Sequence, residues 1–177
     1  MKSTSKLTLC AMMVALASLF MLTSYFPYLT ISIPAFAGLF MMVLVIETNY
    51  KLSFLAYLAS AVIVFLIAEP EAKMLYVLFF GYYPIIKSLL EKIRNRVLEY
   101  IAKFSVFNIA VVAAYLLLSA LFNFELTELG NFGKYSIIVL LLIANFVFII
   151  YDIAVSRVAQ FYIIKLHPIV YKTLNRN

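Results

Sequence analysis

The sequence predicts an all-α integral membrane protein, a single transmembrane domain of six helices over residues 1–177. Three observations predict it. Hydrophobic residues make up 66% of the chain and charged residues 12%, with a mean hydropathy of +1.06, whereas a soluble domain carries about 25% charged residues. Six apolar runs approach the roughly 20 residues that a membrane span requires, at about 7–26, 33–49, 52–68, 74–93, 101–123 and 134–164. Marking those runs puts twelve of the 14 Lys and Arg residues on one side and leaves only Lys73 and Lys134 on the other.

The first run follows Lys2 and Lys6, a pattern that also begins secretory leaders. A cleavage-like Ala35-Phe-Ala37 lies too far beyond the end of the apolar run near Leu22, so the run is read as a retained helix. It carries Ala11 and Ala15, four apart, with Ala17 beyond. Small residues at that spacing let two helices approach closely. The connection from Thr23 to Pro34 is long for so economical a chain, and its prolines are expected to hold it out of a helix. Its aromatic residues suit a membrane interface or a lid over an outward-opening pocket.

The second and third runs meet near Lys51, and the third and fourth meet at Glu69 and Glu71. The fourth contains Phe79-Phe-Gly-Tyr-Tyr-Pro84. Proline cannot donate to the carbonyl of Phe80, so a kink is expected there. Gly81 would let a second backbone or a ligand come close. Aromatic rings beside a freed carbonyl suit either a flat organic ligand or helix packing. Lys87, Lys92, Arg94, Arg96 and Lys103 bracket the connection to the fifth run, where a stop at the inner surface and contact with anionic lipid are expected rather than nucleic acid. Arg157, Lys165, Lys172 and Arg176 close the chain. The positive-inside rule then places both termini in the cytoplasm and the protein in the cell membrane.

Chemistry-bearing motifs are few. Cys10 is the only cysteine, and His167, the only histidine, is placed past the last helix. The chain has no zinc-ligand spacing, phosphate-binding glycine loop or nucleophile motif, so no catalytic residue, metal or cofactor is expected. Ionisable residues within spans are candidates by default, here Glu47, Lys87, Asp152 and Arg157. At about 1.5 Å per residue the first three lie in the inner half of the bundle. Asp152 and Arg157 are about 140° apart around their helix and face each other poorly. Lys87 can pair across helices with Asp152 or Glu47, or snorkel to the interface. Farther out lie Tyr76, Tyr115, Ser119, Asn123, Tyr135 and Asn145, with Asn108 and Tyr83 near mid-depth. From these, with Phe80, the expected ligand site comprises Tyr76, Phe80, Tyr83, Asn108, Tyr115 and Asn145.

Ala11 with Ala15, the long 23–34 connection and Tyr83-Pro-Ile-Ile-Lys87 occupy matching places in a known architecture. Over its whole length the chain resembles the substrate-binding S component of energy-coupling factor vitamin transporters. The resemblance implies a small-molecule substrate held by outer loops and helices four to six. It further implies a membrane coupling subunit docking on helices one to three, at Ala11 and Ala15, and two cytoplasmic ATPases. The alternative is a structural or assembly membrane protein, such as a cell-shape scaffold of the MreD type. Only four glycines are present, fewer than that alternative would suggest.

Overall fold

A computed structural model describes residues 3–26, 28–122 and 136–174. These residues are mostly helical, with no strand among them. The helices are α1 (Ser3–Leu22), α2 (Ser32–Glu47), α3 (Tyr50–Ile67), α4 (Pro70–Leu75), α5 (Tyr83–Leu90), α6 (Arg96–Phe122), α7 (Ser136–Phe161) and α8 (His167–Leu174). A π-helical segment, Tyr76–Phe80, joins α4 towards α5, and another, Tyr162–Leu166, carries α7 into α8. Tyr115 and Ser119 fall on α6, but their side chains lie outside the described residues, as do Asn123, Glu125, Glu128, Lys134 and Tyr135.

Local chemistry sets most of the boundaries. Thr48 Oγ1 donates to the Leu44 carbonyl (2.7 Å) at the end of α2, and Asn49 Oδ1 accepts the Leu52 N–H (2.9 Å) at the start of α3. Glu69 is extended because it precedes Pro70, which takes the first turn of α4. Asn95 Oδ1 accepts from the Val97 N–H (3.0 Å), so α6 begins at Arg96 rather than near residue 101.

Of the three prolines expected to disrupt structure, Pro27 lies outside the described residues, and the other two sit instead in first helical turns, Pro34 in α2 and Pro84 in α5. Their missing N–H groups would have no intrahelical partner there in any case. The first connection is accordingly shorter than expected: a 3₁₀ turn covers Thr23–Tyr25 and α2 starts at Ser32. His167 likewise does not lie beyond the last helix but opens α8, continuous with α7.

Helix α2 is central, touching α1, α3, α4, α5, α7 and the first π segment. Leu9, Cys10, Ala17, Met41, Leu44, Ala56, Tyr57, Ala61 and Ile85 form one core between α1, α2, α3 and α5. A second, towards the Ser32 end of α2, contains Met21, Ile33, Ala37, Val64, Ala68, Ala72 and Tyr76. The third is aromatic, with Phe79, Tyr83, Phe107 and Phe148 around Ala110. Alanine recurs at the buried crossings because a small side chain allows close helix approach. By length and composition, four helical stretches could cross a membrane: Thr4–Tyr25, Tyr50–Ile67, Arg96–Ala114 and Leu141–Val170. The apolar α2 is shorter, and the fourth expected span is divided by its π segment.

Candidate functional site

The divided fourth segment organises the interior. In a regular helix the Val77 carbonyl would accept the Gly81 N–H. Here that N–H goes to Tyr76 O (2.8 Å), and the Val77 carbonyl takes the Tyr57 hydroxyl instead. The Tyr57 ring lies so close over Gly81 that a Cβ there would come within 2.8 Å of it. Gly81 thus admits a tyrosine ring from α3. The close backbone approach occurs at Gly38 of α2, where a Cβ would collide with the carbonyl oxygen of Phe80.

Beyond this break, Tyr83 and Lys87 lie one turn apart on α5, and both are buried. Lys87 Nζ and the Tyr83 hydroxyl both donate to Asp152 Oδ1 of α7. Lys87 Nζ also reaches the Asp152 carbonyl (3.1 Å) and Glu91 Oε1 (3.0 Å). From α6, Lys103 Nζ lies 3.4 Å from Asp152 Oδ2, 3.4 Å from Glu91 and 2.7 Å from Glu99. Lys87 and Lys103 are each 3% exposed, so neither snorkels. Two cations and three carboxylates therefore share one cluster where α5, α6 and α7 meet.

Cavities adjoin the cluster on two sides. One of about 450 Å³ is lined by Met42, Val45 and Ile46 of α2, Pro84 and Lys87 of α5, and Val155 and Ile163 of α7 and beyond. The other, of about 540 Å³, is lined by Arg94, Arg96, Lys103, Asp152 and Arg157 among others. A separate polar contact fastens the C-terminal end of the chain. Tyr162 donates to Glu47 Oε1 (2.9 Å), and His167 Nδ1 lies 2.8 Å from the same oxygen. Glu47 Oε2 is buried without a hydrogen-bond partner.

Among the described residues, those expected to hold a ligand meet different partners, and the Tyr115 side chain lies outside that description. Tyr76 is fully buried in the second core, with its hydroxyl 2.9 Å from Ser60 Oγ. Phe80 packs edge-on against Tyr151 at 4.9 Å between centroids. Tyr83 belongs to the charge cluster. Asn108 and Asn145 exchange two amide hydrogen bonds of 3.0 Å between α6 and α7, and each also donates to a carbonyl one turn earlier in its own helix. Asn108 lines an apolar groove along α6. Ala11 and Ala15 are both exposed on α1, while Ala17 is fully buried.

Sequence reasoning missed Lys103 as an interior group. The available signal was Glu99 with Lys103, an i,i+4 pair that implies a helix beginning before residue 99. Comparison with known proteins adds no relative: no family model, curated protein or solved structure matches the chain.

Proposed function

We propose that the chain is a multi-pass membrane protein serving as the substrate-binding subunit of an importer for a small organic micronutrient, such as a vitamin. The observation that carries this reading is a discontinuous helix beside a buried charge cluster. Interrupted helices place backbone groups and close contacts at solute sites in membrane transporters. π-helical turns are frequent at functional sites, and ionisable groups within a bundle mark substrate or ion pathways. The membrane setting is supported by the outward apolar residues of the long helices: Leu55, Val62, Leu66, Ile109, Leu142 and Phe146 are each more than 60% exposed, where a water-soluble fold would carry polar groups. Ala11 and Ala15, exposed on α1, offer a coupling subunit a surface of close approach. Two cytoplasmic ATPases would act through that subunit.

A second reading, a structural or assembly membrane protein, is favoured by one specific observation. Phe107 stacks on Phe148 at 4.5 Å, Phe79 meets both, and Asn108 and Asn145 bind each other. These groups are committed to holding helices together. The two readings part in a thermal-shift screen of vitamins and related heterocycles on the full chain in mild detergent. A ligand at a hundred times its dissociation constant stabilises by about 2.7 kcal/mol. The importer reading expects such a compound, with weaker stabilisation in Asn145→Ala and Phe80→Ala. A broad screen without a stabilising compound, together with native mass spectra showing a membrane partner and no small molecule, would establish the scaffold reading.

A further inference from the structure

We propose that Arg94, Arg96 and Arg157 form a binding site for a phosphate-bearing anion, occupied in the membrane by the headgroup of an acidic phospholipid. The three arginines come from two places, the entry to α6 (Arg94 in the turn before it, Arg96 at its first position) and the second half of α7, and line one cavity of about 540 Å³. All three are exposed, and none makes an ion pair among the described residues. The carboxylates nearby offset them only in part. Asp152 and Glu91 are shared by Lys87 and Lys103, and Glu99 is held by Lys103. With three carboxylates against two lysines the cluster retains one negative charge, so the three guanidinium groups still leave a net positive charge around a space large enough for a phosphodiester. Guanidinium is the side chain best shaped to grip phosphate oxygens in pairs.

The groove next to this cavity favours a lipid over a soluble phosphate compound. Tyr100 lines the arginine cavity and also an apolar groove of about 550 Å³ along α6, formed with Val97, Ile101, Phe104, Ser105 and Asn108. These positions recur every three or four residues and so make one stripe up the helix. A cationic cavity continued by an apolar groove matches a charged headgroup followed by an acyl chain. Basic pockets between membrane helices bind acidic headgroups in this way. The site goes beyond the solute-binding proposal, and the failure of either leaves the other standing.

The test is native mass spectrometry of the full chain in mild detergent with equal amounts of phosphatidylglycerol and phosphatidylcholine. Phosphatidylglycerol should be retained in preference. Arg94→Gln with Arg157→Gln should weaken its binding roughly thirtyfold, leave phosphatidylcholine unaffected and leave the melting curve of the lipid-free protein unchanged. The paired lysine variant, Arg94→Lys with Arg157→Lys, guards against a folding artefact and should stay within a few-fold of wild type. Lys51→Gln, which removes a cation lining a different cavity, should have no effect. Inorganic phosphate at matched concentration should not displace the lipid. Displacement that depends on the same arginines would support the anion site but reassign its occupant to a soluble phosphate compound. Equal retention of the two lipids, or unchanged phosphatidylglycerol binding in the glutamine variant, would overturn the proposal.

Discussion

Asp152 receives Lys87, Tyr83 and Lys103 within an interior built mainly of Ala, Met, Leu and aromatic side chains. An ion in such surroundings is tolerable only while its partners remain, because the desolvation already incurred is offset by them. Asp152→Ala leaves Lys87 buried with Glu91 as its remaining carboxylate and should destabilise the bundle by about 3–5 kcal/mol. Adding Lys87→Met to that variant removes the stranded charge and should recover part of the loss. Reversible unfolding in mixed micelles would measure both. A loss below about 1 kcal/mol for Asp152→Ala, or strict additivity of the two substitutions, would show that the cluster is not the coupled unit its geometry implies. The pairing of Lys87 with Asp152 was legible in the sequence as one of three options, beside pairing with Glu47 and snorkelling to the interface. Lys103 was not, because its depth depends on where α6 starts, and that is set by the Asn95 cap.

At the scale of elements, the π segment and α2 determine each other's positions. Gly38 receives the Phe80 carbonyl, while Gly81 receives the Tyr57 ring. Gly38→Ala places a methyl group against backbone, which cannot rotate away, and should cost about 1–3 kcal/mol. Gly81→Ala meets the same Tyr57 ring whose hydroxyl serves Val77, so it should cost a similar amount; Tyr57→Phe should lose only the hydrogen bond, about 1 kcal/mol. Thermal denaturation of the three variants orders them, and a Gly38→Ala protein as stable as wild type would refute the close approach. The sequence signalled a break in the fourth segment through Pro84, but for an incomplete reason. Pro84 occupies a first turn, and the irregular hydrogen bonding lies one turn earlier, where α2 and α3 supply the compensating contacts.

Across the described residues, the first and third connections, expected on one side, do lie at one end. Ser24 Oγ accepts the Glu69 N–H (3.3 Å), joining the first connection to the third. At the opposite end Lys92 Nζ sits 5.4 Å from the centre of the Tyr50 ring, and His167 reaches Glu47. With the arginines and lysines gathered at the second end, that end should face the cytoplasm. Single cysteines introduced at Glu71 and at Asn95, in a Cys10→Ala background, test the orientation by labelling of intact cells with an impermeant thiol reagent. Glu71→Cys should label and Asn95→Cys should not; the reverse pattern would invert the bundle.

The sequence by itself determined the helical class and that the first and third connections share an end. Hydrophobic run length, proline position and the distribution of cations are local properties of the chain, and each acts without reference to distant residues. Only the tertiary structure decided which polar groups meet. Asn108 and Asn145 read as ligand groups while each helix is considered alone, and they become partners once the rotation of α6 against α7 is set by Phe107 stacked on Phe148. Arg157 joins Arg94 and Arg96 for the same reason: α7 and the entry to α6 line one cavity with Asp152. Helix rotation depends on side-chain packing summed over whole interfaces, and no single stretch of sequence contains it.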